Sequence, residues 1–418
     1  MSLTKMGDKA KLQVQKITKI ATTGKQAVSE LTEDGGILDN IIGLAGFKKA
    51  KNPIDPQTLG VSINTADKAN LRLVFLGGGS FGTAMANLAA KNGCDTTLWV
   101  RDRRAVRAMQ KGRINKKYLP NHRLDDRLKF SYDLKTAVKD KDIIFVATPS
   151  SAVREILTTI APMITAQAVV SLTKGMEKNS FALMSDVIQE TLPQVNFGVM
   201  SGPNLALEIM DNMPSATVIA SDSEPLRHAV QTALHSGFFR VFASDDIKGV
   251  ELGGALKNIY AIAMGMAEGY KVGENTKAML LTRALAEMSR FGVAMGANPL
   301  TFLGLSGVGD LYATCSSTLS RNYRIGHMLG KGVSLDNAIK KLGQTAEGVN
   351  TIAQVHERAK ELGIYMPITH ALHAVIFEDK ATLGVALNLM ETGFRSDVEF
   401  VMPHDIANDK LSKVIQEV

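Results

Sequence analysis

Cysteine is nearly absent: Cys94 and Cys315 are the only two in 418 residues. A disulfide-built scaffold is therefore excluded, and a reducing compartment is the natural setting. No stretch reaches the roughly 18 to 20 uninterrupted apolar residues that a membrane-crossing helix needs. Met1 to Glu30 rotates lysine, polar and apolar side chains without a compact apolar core, so no secretory signal is expected. The six lysines up to Lys25 come without arginine, and Glu30, Glu33 and Asp34 follow, which argues against a mitochondrial presequence. The expected location is the cytosol. Aromatic residues are scarce at 6%, too few to interleave with basic residues along a nucleic-acid-binding face. The eight histidines include no HExxH; His370 and His373 are spaced to share a helix face, packing accounts for that spacing, and no metal site is expected. No fixed-period repeat occurs, which sets solenoids aside.

What is present is a chain able to bury large cores. Hydrophobic residues make up 45% and charged ones 21%, which excludes wholesale disorder, and 36 glycines without a period exclude collagen. The length exceeds one ordinary domain of roughly 100 to 150 residues, so two or three units are expected. The net charge of +7 is uneven: residues 1–70 hold ten lysines against seven acidic residues, and residues 101–135 hold twelve Lys and Arg against four Asp. The remainder is slightly acidic. A local surplus of this kind suits small anionic ligands as well as nucleic acid or a membrane surface.

Before Leu71 two apolar stripes have helical spacing, Ile17, Ile20, Ala21, Val28 and Leu31, then Leu38, Ile41, Ile42 and Ala45, parted by Asp34-Gly35-Gly36. They predict a helical hairpin, followed by a linker up to Asn70. From Leu71 the pattern turns to short apolar runs, LRLVFL, then runs at Thr96, Asp142, Ala168 and Phe197, with later ones at Ala216 and Phe239. Continuous apolar runs suit strands buried on both faces, as in a parallel sheet covered by helices. After Ser244 the runs give way to stretches apolar nearly all round and rich in Gly and Ala, which fits buried helices. The expected fold class is α/β: a Rossmann-type dinucleotide-binding domain over 71–245, an all-helical substrate domain over 246–418, and an N-terminal helical extension over 1–70. The 19 methionines and Cys315 read as packing in the helical core.

Gly77, Gly79 and Gly82 form GxGxxG between the strand-like LRLVFL and the helix-like TAMANLAAKNG. The flanking elements turn a weak hexamer into a dinucleotide fingerprint: a tight turn at Gly77, close backbone approach at Gly79, and helix against sheet at Gly82. The second strand then runs into Arg101-Asp102-Arg103-Arg104. A guanidinium fork at Arg101 suits the 2′-phosphate of NADP, and Asp102 leaves NAD possible.

Three further segments carry candidate chemistry: SLTKG from Ser171, ELGGALKN from Glu251, and GDL from Gly309 with Ser320-Arg321-Asn322. Lysines in apolar, glycine-rich surroundings are unusual, because a buried ammonium is costly unless paired. Together with GGGSFGTAMA, LWVRD, ATPS, SGPNLALE, GVGDLYATCSSTLSRNYRIG and AEGVNT, these segments closely resemble the bacterial NAD(P)-dependent glycerol-3-phosphate dehydrogenases, from about Leu71 to the C-terminal region. The glycine loop alone does not separate that family from β-hydroxyacid, 6-phosphogluconate or ketopantoate reductase types; the ELGGALKN and SRN blocks do.

The resemblance implies a reversible reduction of dihydroxyacetone phosphate to sn-glycerol 3-phosphate, which feeds phospholipid synthesis. It implies Lys257 as general acid, with Lys174 polarising the carbonyl and Asp310 orienting the ammonium. A plain structural ion pair of Lys257 with Asp310 or Glu251 is the opposing reading. For the cofactor the resemblance implies Gly77, Gly79, Ser80, Phe81, Gly82, Arg101, Lys174, Ala206, Arg321, Thr345 and Glu347. For the substrate it implies Lys174, Gly202, Asn204, Lys257, Asn258, Asp310, Ser320, Arg321 and Asn322, with Ser320, Arg321 and Asn322 supplying donors to the phosphate. Asn204-Leu205 departs from the Ser or Thr followed by Phe that the family often shows. A homodimer is the family's habit. The extension is expected to cover the enzyme's own surface or an oligomer contact, with an anionic membrane surface as the second choice.

Overall fold

The computed structural model describes residues 68–385 except 179, 343–346 and 383. The expected N-terminal hairpin and most of its linker lie outside the described residues, as does Thr345.

Strands β1 (Arg72–Leu76), β2 (Asp95–Trp99), β3 (Lys129–Ser131), β4 (Ile143–Val146), β5 (Ala168–Ser171), β6 (Phe197–Ser201), β7 (Ser215–Ala220) and β8 (Phe239–Ser244) form one sheet in the order β3-β2-β1-β4-β5-β6-β7-β8. The apolar runs become strands because both faces of the sheet are covered, and successive side chains point to opposite faces. Leu73 and Phe75 of β1, with Ile143 and Phe145 of β4, enter one core. Val74 and Leu76, with Ile144 and Val146, enter another. Phe75 and Phe145 stack at 4.4 Å between ring centroids.

Helices α1 (Ser80–Lys91), α2 (Arg103–Gly112), α3 (Leu134–Val138), α4 (Ser150–Ile160), α5 (Met184–Thr191), α6 (Ala206–Met210) and α7 (Glu224–Leu234) connect the strands. Strand order reverses between β1 and β4, which opens a crevice at the carboxyl ends of the strands, where α/β sheets take ligands. Two features differ from the reading of the runs. β3 is a three-residue edge strand, too short and too exposed to leave an apolar run. β7 pairs antiparallel with β6, and β8 parallel with β7; a strand buried on both faces has the same composition in either direction.

Beyond Ser244 the described residues are helical: α8 (Ile247–Gly269), α9 (Glu274–Ala294), α10 (Asp310–Ser316), α11 (Arg321–Gly330), α12 (Leu335–Leu342), α13 (Glu347–Glu361) and α14 (Pro367–Phe377). α8 is buried without a break from Gly249 to Met266, as its all-round apolar composition requires. A Cβ on Gly265 would fall 2.0 Å from Tyr323 O, and one on Gly326 would fall 2.0 Å from Ile262 O, so α8 and α11 pack backbone to backbone. Cys315 is buried in this core, and burial pushes its thiol up to about 12, which leaves it a packing residue. No helix among the described residues is long and apolar enough to cross a membrane.

Candidate active site

β1 runs directly into the glycine turn. Gly77 has φ +130, a conformation side chains rarely adopt, and a Cβ there would meet Ala147 O at 2.4 Å. A Cβ on Gly82 would meet Gly77 O at 2.3 Å, whereas Gly79 faces open space. α1 starts at Ser80 with Gly79 as its cap, so no side chain takes its first amide N–H groups. An open glycine face over an uncapped helix start fits a pyrophosphate. Asn115, buried in the loop after α2, donates from Nδ2 to Gly78 O at 2.9 Å and to Thr83 Oγ1 at 3.0 Å, bracing the turn. Sequence reading missed Asn115, which lies in a stretch legible only as basic.

Asp102 is the N-cap of α2, accepting from Arg104 N at 2.8 Å and Ala105 N at 3.4 Å. Its carboxylate is thereby committed to the helix. Arg101 is exposed, and among the described residues it makes no ion pair; Val100 beside it packs against the glycine turn, 2.5 Å from where a Gly78 Cβ would lie. The basic surplus of residues 101–135 divides in two. Arg113 donates to Asp125 O and Leu128 O, while Arg123–Asp126, Arg127–Asp125 and Lys129–Asp95 are ion pairs. Arg103 lies over the Tyr132 ring at 4.8 Å; Arg101, Arg104 and Arg107 are exposed charge near the end of β2, and Lys111, Lys116, Lys117 and Lys135 are exposed farther along the chain.

The two candidate lysines meet on one carboxylate. Lys174, in the loop after β5, donates to Asp310 Oδ2 at 2.7 Å and to Gly202 O at 2.9 Å. Lys257, from α8, donates to Asp310 Oδ1. Ser201 Oγ at 3.1 Å and Thr314 Oγ1 at 3.5 Å also donate to Asp310; neither was singled out in the sequence, although Ser201 begins the SGPNLALE block. A tight turn over Leu305–Gly309 delivers Asp310, and it approaches α8 at Gly253, whose Cβ would lie 2.3 Å from Ser306 O. A Cβ on Gly254 would lie 2.3 Å from Ser201 Oγ and 3.5 Å from Lys174 Cγ. The glycine pair of ELGGALKN therefore admits both Asp310 and Lys174.

Burial disfavours the Lys257 ammonium, and the Lys174 cation adds to the effect, so the Lys257 amine is drawn down to about 7 although Asp310 opposes it. Burial by itself would raise the Asp310 carboxyl, but the two ammoniums outweigh it and hold the group below its ordinary value. Of the two partners weighed for Lys257, the structure selects Asp310. Glu251 is engaged elsewhere, accepting from Ser185.

Around this centre, Asn322 Nδ2 donates to Asn258 Oδ1 at 2.9 Å, and Asn322 Oδ1 accepts from Gly348 N at 3.2 Å. Asn322 thus ties α8, α11 and α13 together. Ser320 caps α11 through its hydroxyl, and Arg321 follows, exposed, on the first turn. Glu347 opens α13; burial raises its carboxyl, opposed by nearby Arg321 and by a hydrogen bond from Ser150 N. That bond brings Glu347 to the first residue of α4. Phe81 and Ala206 both pack against the sheet core, and the Phe81 ring lies 5.9 Å from Lys174 Nζ. Asn204 Nδ2 donates to Thr217 Oγ1 at 2.8 Å, while its Oδ1 is buried without a partner. Between α13 and α14, His373 stacks on His356, and His370 meets His356 edge-on.

A glycine turn suited to a dinucleotide pyrophosphate, with two lysines that share an aspartate nearby, fits what hydride transfer to a carbonyl requires, a cation for the oxygen and then a proton. The class is a two-domain, nicotinamide-dependent dehydrogenase. A family model described as NAD-dependent glycerol-3-phosphate dehydrogenase N-terminus matches residues 72–226, and its C-terminus counterpart matches residues 246–385. The chain belongs to this family. It is 72% identical over 385 residues to the glycerol-3-phosphate dehydrogenase (NAD(P)+) of Psychrobacter arcticus, covering 91% of this chain and 89% of that one. The counterpart from Acinetobacter baylyi is 65% identical over 337 residues, 81% of this chain and 94% of that one. The crystal structure of glycerol-3-phosphate dehydrogenase from Coxiella burnetii superposes with a TM-score of 0.74 at 38% identity, covering 77% of this chain and 99% of that one. The Psychrobacter match is longer than everything after Asn70, so it reaches into the extension.

Proposed function

We propose that the chain reduces dihydroxyacetone phosphate to sn-glycerol 3-phosphate with NADPH, reversibly, with 71–245 holding the cofactor and 246–418 completing the substrate site. The observation that carries this reading is the pair of lysines on Asp310 at the end of the dinucleotide crevice. The bound nicotinamide supplies the hydride. As negative charge develops on the ketone oxygen, Lys174, held by Asp310 and Gly202 O, offers its ammonium to that oxygen. Lys257 gives the oxygen its proton, which its lowered proton affinity favours. In the reverse direction neutral Lys257 takes the hydroxyl proton of glycerol 3-phosphate. Ser320 and Arg321 supply donors to the phosphate, and Asn258 keeps its Nδ2 out of hydrogen bonds with the described residues, where a substrate oxygen can take it. The unpartnered Oδ1 of Asn204 offers an acceptor to a substrate hydroxyl in place of the family's Ser or Thr.

The test is NADPH oxidation with dihydroxyacetone phosphate against unphosphorylated dihydroxyacetone and 2-ketopantoate; equal rates with the unphosphorylated ketone would end this reading. The enzyme works in the cytosol as a homodimer, supplying glycerol 3-phosphate for phospholipid synthesis. Gel filtration with light scattering measures the dimer.

Two outcomes follow. Because Lys257 acts in its protonated form during reduction, kcat/KM for the ketone should fall about tenfold per pH unit above about 7, while oxidation of glycerol 3-phosphate rises through the same range. Profiles in both directions between pH 5.5 and 9.5 check this; a reduction rate climbing from 7 to 9 contradicts it. Second, Asp102 is spent on capping α2 and Arg101 is exposed, so NADPH should be preferred. Arg101→Ser should cut the ratio of kcat/KM for NADPH over NADH by roughly 10 to 100-fold, the worth of a charge-assisted phosphate contact. An unchanged ratio removes Arg101 from the 2′-phosphate.

A further inference from the structure

Glu251 carries a buried carboxyl that the chemistry above does not use; burial raises it to about 7, against the pull of the Ser185 hydroxyl and amide. It sits on α8, six residues before Lys257, and is 4% exposed. Its partners belong to the other half of the molecule. Ser185 Oγ donates to Oε2 at 2.5 Å and Ser185 N donates to Oε1 at 3.2 Å, and the Met184 N–H beside them also favours the charged form. These are the first residues of α5, whose Met184, Val187 and Ile188 are buried with Val74, Val146 and Val169 of the sheet. Leu183, the cap of α5, has no side-chain acceptor to offer, so a residue of the helical part satisfies the first amides of a sheet-side helix.

The place matters because of what lies between Lys174 and Met184. Met176 and Leu183 form an antiparallel bridge, and Glu177 N donates to Ala182 O at 2.9 Å, so Met176 and Glu177 pair with Ala182 and Leu183 as the base of a small hairpin. The base of that hairpin is two residues from Lys174 on one side and one residue from Met184 on the other. A grip on Met184 and Ser185 is therefore a grip on the backbone of Lys174. The contacts close a ring: Glu251 to Ser185, through the hairpin base to Lys174, across Asp310 to Lys257, and back along α8 to Glu251. Asp310 holds the tips of the two lysines. Glu251 holds the backbones they spring from. Nearer its tip the hairpin is tied separately by Phe181, whose ring meets Phe291 edge-on at 6.0 Å, while Gln354 Nε2 donates to Glu177 O, beside the base, at 2.6 Å.

We infer that Glu251 is a positioning residue for the two active-site lysines, holding the loop that carries Lys174 against the helix that carries Lys257. The inference rests on the proposed roles of those lysines. Glu251→Gln replaces one acceptor oxygen with an amide NH2, a donor that faces the hydroxyl and amides of α5, and so loosens the hairpin base while keeping the side chain's volume. A displacement of about 1 Å at a reacting group costs on the order of 100-fold in rate, so kcat for ketone reduction should fall 10- to 100-fold while the NADPH dissociation constant stays within about twofold. The direction of the titration is diagnostic. Lys174 lowers the proton affinity of Lys257; with the two moved apart, the Lys257 titration should shift to higher pH.

The experiment compares wild type, Glu251→Gln, Glu251→Asp, Ser185→Ala and Phe181→Leu in steady-state kinetics, in NADPH titration, and in the substrate-free titration of the Lys257 Nζ by nitrogen NMR. Glu251→Asp should recover part of kcat, Ser185→Ala should lose severalfold, and Phe181→Leu, nearer the tip of the hairpin, should stay near wild type. Wild-type kcat in Glu251→Gln overturns the inference. So does an unshifted Lys257 titration, or an equal loss in Phe181→Leu, which would mean general loosening of the hairpin. Should Glu251→Gln fail to fold, Ser185→Ala decides by the same readouts. If wild type does not reduce the phosphorylated ketone at all, the proposed function fails, and the substrate-free titration still judges Glu251 alone.

Discussion

Lys257→Met should lower kcat for ketone reduction by roughly 10³- to 10⁴-fold, at the upper end of what a positioned general acid contributes because the cation is lost along with the proton. NADPH affinity should change less than about threefold, since the glycine turn, Asn115 and Arg101 lie on the sheet and do not touch α8. Methionine is the informative replacement. Lys257 is 7% exposed and lies among apolar residues of α8, so an unbranched apolar side chain fills the same volume. Asp310 keeps Lys174, Ser201 and Thr314 as donors, so its charge stays paired and the site stays formed. Loss of turnover with intact NADPH binding assigns the proton to Lys257. A kcat within tenfold of wild type would reduce Lys257 to an ion-pair partner. Turnover followed by NADPH absorbance, with fluorescence titration for binding, measures both.

Asp310→Asn should act on stability and chemistry together. The carboxylate is 1% exposed and neutralises two ammoniums. Removing one partner of a buried ion pair costs about 3 to 5 kcal/mol, because the charge left behind has neither water nor counter-ion. Some of that cost can be escaped. Asp310 raises the proton affinity of Lys257, so without it Lys257 loses its proton more readily, and one of the two cations disappears. The deficit in unfolding free energy should therefore be largest at acid pH, where both lysines are charged, and shrink as pH rises. By the same sign, the pH above which reduction declines should move below that of wild type, opposite to the shift expected for Glu251→Gln. Urea unfolding across pH 5.5 to 9, paired with rate profiles, tests both. A stability loss independent of pH would mean that the cost comes from lost packing and hydrogen bonds, with the charges immaterial.

Much of the fold was legible because its physics is local. The run Arg72–Leu76 sends Leu73 and Phe75 to one core and Val74 and Leu76 to another, so an unbroken apolar run announced a strand covered on both sides. Gly77, Gly79 and Gly82 announced the dinucleotide turn, since their spacing follows from a strand entering a helix within one tight loop. The three-residue β3 and the antiparallel course of β7 left no such mark. Asp102 could be read as a ribose ligand or as a helix cap from its position alone, and the backbone of α2 decided for the cap. Asn115, Ser201 and Ser185 were invisible as positioning residues, because each earns its role from a partner in a different segment: Gly78, Asp310 and Glu251.

The amino-acid order by itself determined the covered sheet, the glycine turn, the long buried helix and the blocks that mark the family, all properties of neighbours along the chain. Which carboxylate serves Lys257 was a tertiary decision. Glu251 is six residues from it on the same helix and turns away to α5, whereas Asp310 is 53 residues on and meets it. A buried ammonium pairs with whichever acid is desolvated beside it, and that neighbour is chosen by how the turn at Leu305–Gly309 packs on Gly253, not by distance in sequence.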